Sequence, residues 1–288
     1  MNRFIYRIVL PVLLSACVVA LNSCRAHKYL PSDAGATASV SITTFNMRCD
    51  VPEDDPSNNW QNRLPRIAQY ITSQNIDVVA SQELVGNQDS SLLRVLPQYG
   101  EVRATDGVNA IFYRKERVEV LSHGCFSLSE QPDSIGKKGW DAAYPRLALW
   151  AVMKMRSSGR QFVVLNTHLD HIGAVNRSEG AKLIVKRLAT IAQGLPVAVT
   201  GDFNTDDRGE AYAELTATIL VDAYKVAKRK EGVAYTWHNY GRMPMNERSK
   251  IDFVLVSRGI TVSRCSIPRE AEGAMLSDHN PLVATINI

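Results

Sequence analysis

Four apolar, β-branched segments follow one another between residues 108 and 169: VNAIFYR, RVEVLS, LALWAVMKM and QFVVLNTHL. No helical pattern separates them, which excludes a simple alternation of strand and helix. SVSITTFNM, DVVASQE, PVAVTGDF, IDFVLVS and LVATINI carry the same strand signature elsewhere. Helical spacing is confined to NRLPRIAQYITSQ, RSEGAKLIVKRLATIAQ and GEAYAELTAT. Strands outnumber helices, and the pattern predicts an α/β chain of two packed sheets with helices outside them. No linker or internal repeat interrupts the stretch after Val40. One domain of roughly 250 residues follows.

At 45% hydrophobic and 22% charged residues, the chain has an ordinary globular composition. Its formal net charge is +4, too small to hold a protein on nucleic acid by charge alone. The N-terminus reads MNRFIYRIVLPVLLSACVVALNSC. Two arginines precede an apolar run from Ile8 to Leu21, short for a membrane span and suited to a signal peptide. LNSC predicts a lipidated Cys24, with Cys17 in LSAC as the alternative. The expected organisation is a leader at 1–24, a polar tether at 25–38 and the domain at 39–288. Export, with a lipid anchor in a bacterial envelope, follows from that leader. The domain keeps Cys49, Cys125 and Cys265, an odd and widely spaced set that suggests neither a disulfide scaffold nor a zinc cluster. No feature marks an obligate protein partner, and a monomer is expected.

Polar residues recur where the strand patterns stop. Asn46 follows TF, Glu83 follows ASQ, and His168 and Asp170 lie in LNTHLDH. Asp202 and Asn204 lie in GDFN, Asp252 opens the last long strand pattern but one, and Asp278 and His279 stand in SDHNPL. Each alone reads as a turn or a cap. Together they form a coherent chemistry. Glu83 and Asp278 are hard oxygen ligands for Mg²⁺ or Mn²⁺, and Asn46 can add a carbonyl oxygen. Asp202 can take a proton from water, with Asn204 two positions on along the same face to hold it. His279, oriented by Asp252, can donate to charge developing on phosphorus, as can His168 and Arg146.

TFNMR, SQE, NTHLD, GDFN, KIDFVLV and SDHNPL, in this order, resemble the endonuclease/exonuclease/phosphatase (DNase I-like) superfamily. The resemblance spans about Val40 to Ile288. It implies a four-layer α/β sandwich of two mostly antiparallel sheets, with the site at the top of both. It assigns Glu83 to the metal, with Asn46 and Asp278 around it. It assigns His168, Asp202, Asn204 and His279 to catalysis, with Asp252 pairing His279. KKGWDAAYPRLALW is similar to the nocturnin-like and related bacterial branches, which implies that Arg146 faces the substrate phosphate.

Asn109, Asp170 and Trp237 complete the expected substrate-binding set, Trp237 for stacking on a base or sugar. The intact constellation favours an exported, metal-dependent phosphoesterase over a non-catalytic binding protein of the same fold. A nuclease or phosphodiesterase of nucleic acid or nucleotides leads. A hydrolase of sugar-phosphate, inositol-phosphate or phospholipid head groups is the alternative.

Overall fold

The computed structural model describes residues 37–271 and 273–288; the expected leader and most of the tether lie outside them. Among the described residues, thirteen strands and five α-helices succeed one another. They are β1 (Ser39–Asn46), α1 (Trp60–Ser73), β2 (Val78–Gln82), α2 (Gln88–Val95), β3 (Tyr99–Arg103), β4 (Ala110–Arg114), β5 (Val118–Ser127), β6 (Leu147–Met155) and β7 (Gln161–His168). There follow α3 (Ala174–Ala192), β8 (Val197–Asp202), α4 (Glu210–Thr216), β9 (Leu220–Asp222), α5 (Ala223–Val226), β10 (Arg229–Gly232), β11 (Asp252–Ser257), β12 (Thr261–Ile267) and β13 (Leu282–Asn287).

The strands form two sheets, in the order β10-β12-β13-β1-β2-β4-β3 and β5-β6-β7-β8-β11-β9. Only β1–β2, β10–β12 and β7–β8 pair in parallel among the described strands. The expected sandwich of mostly antiparallel sheets is therefore present, and residue alternation explains its layers. In β7, Phe162 and Val164 point into the core between the sheets, while Val163 and Leu165 point out to α3 and α4. In the other sheet, Ile42, Val78 and Ile111 face inward, and Phe45, Val79 and Phe112 pack outward on Ile67, Ile71 and Leu92 of α1 and α2. Sheets buried on both faces need nearly continuous apolar strands, which is the pattern read from the sequence.

Strand direction gathers the polar strand ends. β1 and β2 are parallel, so Asn46 and Gln82 finish side by side. β7 and β8 are also parallel, and His168 registers with Asp202. β11 runs against β8, so its first residue, Asp252, lies opposite the last residue of β8, Asp202. β13 runs against β1, and its entry segment carries Asp278 and His279 to the same edge. Residues distant in sequence thus meet at one end of both sheets, because a side chain's position there depends on which terminus of its strand it occupies.

Candidate active site

The strand ends surround a cleft of about 1440 Å³. Asp202 lies at its centre and is 1% exposed. Its Oδ1 accepts from the Asn204 backbone N–H at 2.9 Å, and its Oδ2 accepts from Asn46 Nδ2 at 3.0 Å. His168 Nε2 and His279 Nε2 approach Oδ2 to 3.6 and 3.9 Å. Among the described residues, two groups of metal-capable atoms result, each within 4.8 Å: Glu83, His168 and Asp202, and Asp202, Asp252 and His279.

Backbone form aims these groups. Gly201, just before Asp202, packs so closely on β7 that an added Cβ would sit 2.1 Å from the Thr167 carbonyl oxygen. Only glycine allows that approach. Glu83 adopts φ +62°, in the left-handed region that costs a side-chain-bearing residue about 1–2 kcal/mol. The turn carries its carboxylate off the alternation of β2 and into the cleft. Asn46 Nδ2 fixes Glu83 Oε1 at 2.9 Å, and the Cys49 backbone N–H donates to Oε2 at 3.3 Å.

Charge is divided sharply between the two histidines. His279 Nδ1 lies 2.8 Å from Asp252 Oδ2. Burial opposes its charge, but Asp252, then Asp202 and Asp278, raise it to about 10, so it is an imidazolium at neutral pH. His168 is driven the other way by burial, reinforced by the Arg146 cation, to about 3, and it is neutral. Burial and the charge of Asp252 raise Asp202 to about 7, a value suited to exchanging a proton near neutrality. Burial works to raise Glu83 too. His168 when charged, the Asn46 hydrogen bond and His279 outweigh it and hold the carboxyl low. Asp278 is raised by burial and by the nearby charge of Glu83. Glu83 and Asp278 both line the cleft, and hard carboxylate oxygens are the donors a divalent cation takes.

Most residues singled out in the sequence come together here, and Asn204 and Asp170 differ from their expected placement. The Asn46 side-chain oxygen accepts from the Arg48 backbone N–H at 3.0 Å, and its Nδ2 bridges Glu83 and Asp202. Asn46 therefore orients both carboxylates through Nδ2, while its Oδ1, the atom expected to face a metal, accepts one hydrogen bond. Asn204 does not share a strand face with Asp202. β8 ends at Asp202, and Asn204 turns at φ +50° with its Nδ2 held by the Leu169 carbonyl at 2.9 Å. Its free polar atom is thus Oδ1, an acceptor. Asp170 does not line the cleft. It is fully buried, accepting backbone N–H groups from Ala143, Tyr144, Ile172 and Gly173 and the Nε of Arg146 at 3.2 Å. Those five donors saturate the carboxylate and keep it from any substrate.

Arg146, Asn109 and Trp237 do line the cleft. Asn109 is 2% exposed with a buried Oδ1 that finds no protein partner. Trp237 is fixed by backbone bridges to Ser249 and His279. Sequence reading passed over Arg63, the largest fully buried side chain, which donates to the carbonyls of Met47, Arg48, Asn58 and Leu276. It ties the loop after β1 to the segment carrying Asp278. Ser277, whose hydroxyl donates to the Asn46 carbonyl at 2.8 Å, was also missed. Its place inside SDHN was the available signal.

The sequence model of the Endonuclease/Exonuclease/phosphatase family matches residues 43–279. The chain belongs to that family. Members of the family are phosphoric ester hydrolases that depend on divalent metal. A solved endonuclease/exonuclease/phosphatase from Bacteroides vulgatus is 41% identical, with a TM-score of 0.83 over 86% of this chain and 98% of that one. A mannosyl-6-phosphatase from Bacteroides thetaiotaomicron is 30% identical, with a TM-score of 0.79 over 86% of this chain and 99% of that one. Nocturnin from Drosophila melanogaster is 27% identical over 185 residues, 56% of this chain and 27% of that protein. The chain thus spans about a quarter of the length of that curated relative.

Proposed function

We propose that this protein is an exported, Mg²⁺- or Mn²⁺-dependent phosphomonoesterase of small sugar phosphates. The charge of the cleft carries the reading. Beyond the central group its lining adds the acids Glu53, Asp54, Asp106 and Asp206 against the arginines Arg48, Arg146 and Arg242. Arg48 is already paired with Asp54 at 3.0 Å, and no lysine lines the cleft among the described residues. A nucleic-acid groove needs a run of cations along the phosphate backbone. This cleft offers two arginines near the reacting centre, Arg146 and the Asp54-paired Arg48 at 3.9 Å from Asp278, and carboxylates at the rim, which accept hydrogen bonds from sugar hydroxyls. The likeness to the mannosyl-6-phosphatase supports the same reading. A nucleotide phosphodiesterase is the second reading, favoured by Trp237 in the wall.

Glu83 and Asp278 would hold the cation, which supplies Lewis-acid stabilisation of charge on the phosphoryl oxygens. Asp202 accepts a proton from the attacking water, and Asn204 Oδ1 accepts that water's other hydrogen and orients it toward phosphorus. The imidazolium of His279, kept charged by Asp252, donates to a phosphoryl oxygen as negative charge grows there. Neutral His168 and cationic Arg146 flank the same position. The new bond joins water oxygen to phosphorus, the ester bond to the sugar oxygen breaks, the departing alkoxide takes a proton from solvent, Asp202 returns its proton to water, and phosphate and alcohol leave.

The leader motif supports export on a lipidated Cys24 in preference to Cys17. The deciding experiment for the reaction is phosphate release with Mg²⁺ or Mn²⁺ from mannose 6-phosphate, beside cleavage of dinucleotides, single- and double-stranded DNA and RNA. Release from the sugar phosphate is expected. Cleavage of the polymers or dinucleotides with no release from the sugar phosphate would overturn the assignment in favour of the second reading.

A further inference from the structure

Tyr144 is 61% exposed, and among the described residues it is the only aromatic in the set of large, exposed apolar side chains. It stands on the lining of the catalytic cleft. Ligand pockets are lined mainly by apolar and aromatic side chains, and this ring lines the cleft while keeping most of its surface in water. One face of the ring is already covered. His171 stacks on it with centroids 5.8 Å apart and an interplanar angle of 21°, and the residue as a whole remains 61% exposed.

The pair is held rigidly. Arg146 Nη2 lies 3.2 Å from His171 Nδ1. Arginine has only donors, so Nδ1 accepts, and the ring is fixed by the same side chain that reaches into the cleft. Asp170 binds the Tyr144 backbone N–H at 3.3 Å, the Ala143 N–H at 3.1 Å and the Ile172 N–H at 3.0 Å. One buried carboxylate therefore fixes Tyr144, Arg146 and the segment bearing His171 in a single arrangement. A surface held in one arrangement loses little freedom when a ligand settles on it.

We propose that Tyr144, backed by His171, is the platform on which the pyranose ring of the leaving alcohol stacks while Arg146 engages the phosphate. The apolar C–H face of a sugar ring complements an aromatic face, and its hydroxyls then point outward to the rim carboxylates. The assignment rests on the sugar-phosphate reading above and deepens it by naming the specificity residue. Tyr144 contacts the part of the substrate that does not react, so its contribution is to binding. Tyr144→Ala should raise KM with little change in kcat.

The test compares mannose 6-phosphate with glycerol 3-phosphate, two primary phosphomonoesters of which only the first has a ring. Wild type, Tyr144→Ala and Tyr144→Phe are assayed with Mg²⁺ after their melting temperatures are matched. Tyr144→Ala is expected to lower kcat/KM for mannose 6-phosphate about three- to tenfold, the size of one aromatic contact. Glycerol 3-phosphate should be unaffected, and Tyr144→Phe should retain wild-type discrimination. An equal loss on both substrates, or no loss on either, overturns the platform while leaving the sugar-phosphate reading intact. A wild type that hydrolyses neither ester overturns that reading itself, and the pyranose assignment with it.

Discussion

Replacing Asp170 with Asn tests the separation of scaffold from chemistry most directly. The wild-type carboxylate is fully buried and receives three N–H groups on Oδ1 and the Tyr144 N–H and Arg146 Nε on Oδ2. Asparagine can place its carbonyl on the three-donor side. Its NH₂ then faces two donors, and Arg146 loses its buried counter-charge. Breaking a buried ion pair in this way costs about 3–5 kcal/mol. For a domain of this size that corresponds to a fall of about 6–20 °C in Tm. Burial acts to raise the Asp170 carboxyl, but the backbone N–H groups of Gly173, Ala143, Ile172 and Tyr144 outweigh it and hold it well below the usual carboxylate range. A carboxyl depressed in the folded state stabilises fully above its unfolded pKa, and that stability is lost as pH falls through the folded value. The gap between wild type and Asp170→Asn should therefore be full at pH 7 and narrow progressively below about pH 4. Thermal melts at pH 7, 5, 4 and 3 measure it. A variant that melts with wild type at pH 7 and shows only a raised KM would return Asp170 to the substrate-contact role and refute the burial reasoning.

Asp202→Asn keeps the shape of the side chain and removes the basic oxygen, so kcat should fall about 10²–10⁴-fold with Tm held near wild type; a destabilised variant of unchanged kcat would make GDFN a turn and nothing more. Glu83→Gln should weaken activation by Mg²⁺ together with activity, and chelation by EDTA should abolish turnover of the wild type until Mg²⁺ or Mn²⁺ is returned. Undiminished hydrolysis in excess chelator would sink the metal-assisted mechanism. Intact-mass analysis of membrane-fraction protein should find a lipid-modified N-terminus at Cys24, and an unmodified chain beginning at Arg25 or later would reject the anchor.

Sequence alone determined the architecture wherever burial was two-sided. Strands such as QFVVLNTHL and IDFVLVS are apolar throughout because both their faces pack, one on the opposite sheet and one on helices. It also marked polar residues at strand ends that the fold gathers on one cleft, Glu83, His168, Asp202, Asn204, Asp278 and His279 among them. Edges were illegible. β10 is RKEG, without an apolar residue, and it is a strand only because β12 offers it a parallel partner. α2 carries too short an apolar pattern to stand out before Trp60 Nε1 reaches Ser91 across it. Roles within the site were equally hidden. Asn46, Asp170 and Asn204 have the same polar character in the sequence as Glu83 and Asp202. Only the folded chain decides which oxygens are consumed by neighbouring N–H groups and which remain open to the cleft. Tyr144 shows the converse. In the sequence it is one tyrosine among ten, and its exposure at the cleft mouth is set by residues 141–146 and 170–173 meeting around a single buried carboxylate. Periodicity and residue type are local properties that a sequence carries. The partner of each polar atom is a long-range property that exists only once the strands have chosen their neighbours and directions.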